Sequence, residues 1–462
     1  MSRSARARLP GWGTATAQAL SAWQRLRLLG VRMRRDPLSR NGLFIVATTL
    51  VNSAFGYVFW VIGARLFPAA AVGIVAATIS AASVVGILAY AGVGMTLIHS
   101  LPQARTGRDW SLTVLSGTTI TALIGIGGSL LVVAVLPATS DKFLLLHQFG
   151  TATIFALGTL AWSLGSALDY AFIAERKAQF MLGRNAVHAA AKVLAVIVLA
   201  LLLARSPTIL LLSWSAAAVV GALAGGGFLV WRLSHGRLFR PAWRQLLRSA
   251  GDLRTRLVGH QVISISGQLP PLLLPIVVTT RLSARADAFF YLTWLLTGVL
   301  LVVSAAVADS LFAEGAHQPA AIRGRALFAL KLVAGIVVPL MIVFFVAGGL
   351  LLSIFGPSYS AHALDLLYVL VLAAIPDALT NLYVALLRLQ SRFVVASTLN
   401  LGMGLGTVVL SWLLLPIFGI TGAGIAWLAM QLAGCLFCLA DLLRRPLRPP
   451  SALSTNLPDA KR

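Results

Sequence analysis

Acidic side chains are the scarcest feature of this sequence. Thirteen Asp and Glu stand against 37 Lys and Arg in 462 residues, and the only glutamates are Glu175 and Glu314. So few carboxylates, most of them near the edges of apolar runs, leave little for acid–base chemistry. No hydrolase, kinase or metal-binding motif is convincing, and there is no G-x-x-x-x-G-K-[ST] loop with which to hydrolyse ATP. An enzyme is therefore not expected. Cysteine is almost absent: Cys435 and Cys438 are C-x-x-C in spacing but lie within the last apolar run. There, ordinary helix packing is a better expectation than redox chemistry. Charged residues of either sign make up only 11% of the chain, too few to coat a soluble protein of this length.

What is present is apolar. Hydrophobic residues make up 58% of the chain, with a mean hydropathy of +0.89. Apolar runs of about 20 residues, each long enough to span roughly 30 Å of hydrocarbon, recur throughout. Open sheets leave backbone groups unsatisfied in lipid, so the runs must be helices. Twelve spans are predicted. The first six are 43–66, 70–98, 110–136, 148–174, 186–204 and 208–232; the second six are 257–280, 286–309, 326–354, 363–387, 391–415 and 419–441. The expected fold class is all-α: a polytopic membrane protein of two pseudo-symmetric six-helix bundles. The parts are a basic tail (1–40), an N-terminal bundle (41–232), a linker (233–256), a C-terminal bundle (257–442) and a second tail (443–462). No cleavable signal is apparent, since the first apolar span begins only after the basic tail.

The net charge of +24 does not point to nucleic acid, because the cations alternate with the apolar runs as topology determinants do. With both termini in the cytoplasm, 31 of the 37 Lys and Arg fall on the inner side. The outer segments then hold Arg65, Lys142, Arg205, Arg281 and Arg285, and Lys192 lies within a span. One missed span would scramble this alternation, so it supports both the count and an inner-membrane orientation. The linker places Phe239, Trp243, Leu246, Leu247, Ala250, Leu253 and Leu257 at helical spacing among Arg240, Arg244, Arg248 and Arg254. That pattern suits a basic helix lying on anionic lipid headgroups. Residues 20–35 are similarly mixed, and residues 446–462 read as disordered.

A repeat is visible at half the chain length. A shift of 216 residues lays Val61-Ile-Gly-Ala-Arg65-Leu66 over Val277-Val-Thr-Thr-Arg281-Leu282, and Asn52 over Gln268. A shift of 213 pairs Tyr170 with Tyr383, Phe180 with Phe393 and Trp214 with Trp427. Both shifts span six helices, which predicts a parallel repeat about an axis along the membrane normal.

Ionisable residues inside spans are costly and mark candidate sites. Asp377 follows Pro376 near the middle of span 10, with Asn381 one turn away on the same face, and could bind a coupling proton or Na⁺. The alternative is a structural carboxylate bonded to a neighbouring helix. Lys192 could attract a diphosphate from a cavity or snorkel to the headgroups. His188, one turn earlier, would strengthen an anion site on the same face. Asn52 and Trp60 share a stripe of span 1, and Gln268 a comparable stripe of span 7 with His260, Ser264 and Gly267; these residues either contact a cargo beside a central cavity or act as polar glue between packed helices. Pro270, Pro271 and Pro275 should bend or break span 7, as suits a gate helix. Arg65 and Arg281 form a symmetric pair at the outer helix ends. They either meet a departing anionic headgroup or anchor the helices.

Several segments resemble one family. They are Gly56-Tyr-Val-Phe-Trp60-Val-Ile-Gly-Ala-Arg65-Leu-Phe-Pro68, Asp169-Tyr-Ala-Phe-Ile-Ala-Glu-Arg-Lys177 with Arg184-Asn185, and Leu311-Phe-Ala-Glu314-Gly-Ala-His317. Leu352-Ser-Ile-Phe-Gly356-Pro-Ser-Tyr359 and Gly419-Ile-Thr-Gly-Ala-Gly424-Ile-Ala-Trp427 follow in order. Over residues 40–442 the chain resembles the Wzx-type polysaccharide exporters or oligosaccharide flippases, of the superfamily that includes the MATE exporters. The resemblance implies two bundles facing a central cavity. It also implies export of polyprenyl-diphosphate-linked oligosaccharide by alternating access driven by an ion gradient, with no cofactor beyond a coupling H⁺ or Na⁺. Anionic lipids, a polysaccharide polymerase and glycosyltransferases are the partners expected. The related flippases of peptidoglycan precursors usually carry two further helices, for which twelve spans leave no room. A MATE-like exporter of cationic drugs and a non-transporting scaffold for polysaccharide enzymes are the rival readings.

Overall fold

A computed structural model describes residues 37–233, 268–317 and 322–444. The described residues form twelve α-helices and no strand: α1 (Pro37–Leu66), α2 (Ala69–Ser100), α3 (Gly107–Thr139), α4 (Phe149–Ala174), α5 (Ala178–Leu202), α6 (Pro207–Phe228), α7 (Leu269–Arg281), α8 (Ala284–His317), α9 (Ile322–Ser353), α10 (Pro357–Leu389), α11 (Phe393–Phe418) and α12 (Thr421–Arg444). All except α7 are long and apolar enough to cross a membrane. The first part of span 7, with His260, Ser264 and Gly267, lies outside the described residues. So do the N-terminal tail to residue 36, the basic linker from residue 234 and the C-terminal tail from residue 445.

Local chemistry sets the helix ends. Thr106 and Asp109 form a reciprocal capping box at the start of α3, satisfying two otherwise orphaned donors. Ser206 caps α6 ahead of Pro207, and Ser283 Oγ accepts from Ala286 N at the start of α8. Gly419 closes α11 at φ +58 and Gly356 precedes α10 at φ +141, conformations that a Cβ disfavours. Links of two to four residues join most successive helices.

Helices α1–α6 pack among themselves, and α7–α12 do the same. The pairings in the first group are α1 with α5, α2 with α3 and α4, α3 with α4, α4 with α6, and α5 with α6. Adding six to each number reproduces the principal pairings of the second group. The two groups meet chiefly where α2 packs on α7 and α8.

One turn sharpens the repeat. Arg176 and Ser391 are the two described non-glycine residues at positive φ, and they stand 215 residues apart. Lys177 N donates to Phe172 O, and Arg392 N donates to Leu387 O, in the same reverse turn. The starts of α2 and α8 and of α5 and α11 are also 215 apart. The structural register is thus 215 at these points, between the two sequence shifts. The pairing of Tyr170 with Tyr383 and Phe180 with Phe393 is two residues out of register at this turn. Aromatic coincidence in apolar sequence produced it. Arg392 also forms an ion pair with Asp441, which Tyr383 joins through its hydroxyl. The Asp441 carboxylate holds the Arg392 guanidinium above its ordinary pKa.

Candidate functional site

Two buried polar networks sit inside the helix groups. In the second group, Asp377 on α10 is 6% exposed. Its Oδ2 accepts from Ser304 Oγ at 2.7 Å and from Asn381 Nδ2 at 3.0 Å. Its Oδ1 accepts from Gln431 Nε2 at 3.4 Å, and Thr380 Oγ1 donates to Gln431 Oε1 at 2.8 Å. Helices α8, α10 and α12 therefore converge on one carboxylate, and Asn381 does share its face. The helix runs unbroken through Pro376, whose carbonyl accepts from the Cys435 thiol. Cys435 and Cys438 are both free. Sequence reading found Asp377 and Asn381 but not Ser304, Thr380 or Gln431, because ordinary polar residues in spans carry no signal until a partner is known.

The first group holds a second network. Arg184 on α5 is 3% exposed. Its Nε and Nη2 form a fork on the Asp169 carboxylate of α4 at 2.8 and 2.6 Å. Asn185 donates to Asp169 Oδ2 at 3.0 Å and accepts from Asn52 of α1 at 2.8 Å. Two glycines make room for the guanidinium. A Cβ on Gly165 would lie 2.4 Å from Arg184 Nη1, and one on Gly225 would lie 2.8 Å from Arg184 Cδ. Gly225 thus has a packing duty. The position of Asp169, five residues inside the predicted end of span 4, was the available signal for this pair.

Arg184, His188 and Lys192 follow at intervals of four, on one stripe of α5. His188 is buried against Gly221, and its Nε2 has no hydrogen-bond partner among the described residues. Lys192 is half-buried, with Nζ 5.4 Å from the centroid of the Phe59 ring, a cation–π contact.

The remaining candidates lie elsewhere. Trp60 is buried between Phe59 and Tyr291 of α8, with ring centroids 5.2 and 4.8 Å away. It therefore sits where the helix groups touch. Gln268 is exposed at the start of α7. Pro270 and Pro271 occupy the first turn of α7, where a proline is tolerated, and Pro275 is inside the helix. Arg65 donates to the carbonyls of Ile354 and Ser353. Arg281 lies over the Trp412 ring of α11 at 4.5 Å. Asn52 of α1 thus meets α5 at Asn185, Lys192 of α5 meets α1 at Phe59 and His188 lies against Gly221 of α6, whereas Asp377 and Asn381 belong to the other group. No cluster of His, Cys, Asp and Glu that could hold a metal occurs among the described residues.

This duplicated arrangement has counterparts among solved structures. The fold is that of the MATE and MurJ transporters. The chain is similar to an inward-facing multidrug resistance MATE family transporter of the MOP superfamily, with a TM-score of 0.69 and 14% identity over 87% of this chain and 100% of that one. It is similar to the lipid II flippase MurJ in an inward closed conformation, with a TM-score of 0.66 and 12% identity over 87% of each chain. An outward-facing MATE transporter gives a TM-score of 0.56 at 13% identity, over 89% of this chain and 96% of that one. No family model matches the sequence, and no curated protein matches it. These structural likenesses show the fold and, with the apolar helices, a multi-pass membrane protein.

Proposed function

We propose that this protein is a flippase that moves polyprenyl-diphosphate-linked oligosaccharide from the inner to the outer leaflet of the cytoplasmic membrane by alternating access. Both termini face the cytoplasm in this reading. The stripe of Arg184, His188 and Lys192 on α5 carries it. A cargo headed by a diphosphate requires cationic and hydrogen-bond-donating groups. Arg184 is committed to Asp169, while Lys192 rests over a ring and the buried His188 Nε2 is unpaired among the described residues. Lys192 and His188 are thus the groups with capacity for a phosphate, and Asn52 sits beside the stripe through Asn185. The shared fold with a lipid II flippase supports the class of cargo. Ion coupling in this reading belongs to Asp377 and Asn381, and surface-glycan synthesis supplies the partners, a polymerase and glycosyltransferases.

The test is flipping of a fluorescent polyprenyl-diphosphate glycan in proteoliposomes, read by reduction of the fluorophore in the outer leaflet. Native protein should expose the lipid, and Lys192→Ala should slow exposure at equal reconstitution. Native rates in Lys192→Ala would remove the observation on which the reading rests. The MATE likeness at a TM-score of 0.69 favours one rival, export of organic cations. Altered drug tolerance with unchanged surface glycan in a deletion strain would select it.

A further inference from the structure

The contact between the helix groups is closed at one end by two cations of the first group set on helix ends of the second. Arg65 lies in the last turn of α1. Its Nε donates to Ile354 O at 2.8 Å and its Nη2 to Ser353 O at 2.7 Å, at the C-terminal end of α9. Lys142 lies in the short 3₁₀ segment between α3 and α4. Its Nζ donates to Thr280 O at 2.9 Å and Leu282 O at 2.7 Å, at the C-terminal end of α7. The last carbonyls of a helix lack intrahelical donors, and the helix dipole makes that end negative, so a cation there satisfies both. These are caps supplied from the opposite half of the molecule.

The two caps flank a tightly closed seam. Tyr57 of α1 meets Phe355 edge-on at 5.4 Å, and Trp60 meets Tyr291 at 4.8 Å. Gly73 of α2 lies so close to α8 that a Cβ there would be 1.7 Å from Ala284 O and 2.7 Å from Ala288 N. All these residues belong to the end that carries the α1–α2, α3–α4, α7–α8 and α9–α10 turns. The acceptors are neutral carbonyls rather than carboxylates. Separating the halves therefore strands no buried anion, and water can replace each partner. Such a contact can hold a state and still be released.

We propose that Arg65 and Lys142 are paired latches that keep this end closed, each by capping a helix of the opposite half, and that transport requires their release. The proposal does not depend on the cargo and stands whether a glycolipid or an organic cation is carried. It changes the roles of both residues. Arg65 acts across the seam rather than as a membrane anchor, and Lys142, one of the outer-side cations of the charge pattern, becomes its counterpart.

The test uses the full chain with Cys435→Ser, Cys438→Ser and a single reporter, Ala288→Cys, at a fully buried position of the seam. The rate at which a maleimide reaches this thiol follows the population of the open state. Arg65→Met and Lys142→Met keep much of the apolar stem and remove the charge. Each should raise the rate roughly tenfold, as expected for loss of charged hydrogen bonds. The double variant should raise it roughly a hundredfold, because the caps lie on separate helices and should add. Arg65→Lys and Lys142→Arg should stay near the parent. Spin labels at Thr139→Cys and Ala361→Cys provide a second reading, in which the double variant should populate longer distances. A double variant that labels at the parent rate with unchanged distances overturns the proposal. So does Lys142→Arg behaving like Lys142→Met, since that makes the stem and not the charge responsible. If Arg65→Met does not fold, Lys142→Met alone decides, because its cap is separate.

Discussion

A guanidinium inside an apolar helix group needs a counter-charge and room for its volume, and Arg184 has both. Asp169 and Asn185 accept from its Nε and Nη2, and Gly165 and Gly225 leave the space. Arg184→Ala would leave the Asp169 carboxylate buried without its counter-charge and should cost about 3–5 kcal/mol. Gly165→Ala keeps the charges but drives a methyl into the guanidinium, at a cost of about 1–3 kcal/mol. Both should lower the thermal midpoint of the purified protein, Arg184→Ala by more; an unchanged midpoint in Arg184→Ala would show that the pair is not holding the helices. At Asp377 the oxygens face donors from three residues. Asp377→Asn sets an amide donor among them, so it should lower the midpoint by an amount equivalent to about 1–3 kcal/mol. It should also impair transport. Transport lost with the midpoint unchanged would separate the coupling role of Asp377 from its packing role.

At the scale of elements, the α2–α8 crossing depends on Gly73. The nearest obstacle to a side chain there is the α8 backbone, which cannot turn away as a side chain can. Gly73→Val should therefore hold the seam apart, and the Ala288→Cys reporter should react as an exposed thiol even with both latches intact. Slow labelling in Gly73→Val would mean that α2 and α8 can close without this contact. The α4–α5 and α10–α11 turns teach a different lesson about elements. Apolar patterning located all four helices, but the register of the repeat came only from the shared positive-φ turn at Arg176 and Ser391. Aromatic matches at a shift of 213 carried less information than the backbone, because apolar spans draw on few residue types and coincide easily.

For the whole molecule, the charge alternation predicts which end faces outward. Thr139→Cys, on the latch end, should react in intact cells with a membrane-impermeant maleimide. A cysteine at Gln103, on the opposite end, should react only after the membrane is opened. The reverse pattern would invert the topology and assign the latches to the cytoplasmic side.

Sequence alone anticipated the twelve helices of the described residues and their duplication, and the charge pattern set out a topology to test. Hydrocarbon admits one backbone solution per apolar run, so counting runs nearly counts helices. Sequence also singled out Asp377, Lys192 and His188, since a polar group in lipid is conspicuous at any position. It did not reveal Ser304, Gln431, Asp169 with Arg184, or the cap that Lys142 supplies. Those roles depend on which helices lie side by side and which carbonyls are left open at helix ends. Contacts across 54 residues, from Asp377 to Gln431, or across 289, from Arg65 to Ile354, are consequences of packing that no local pattern encodes.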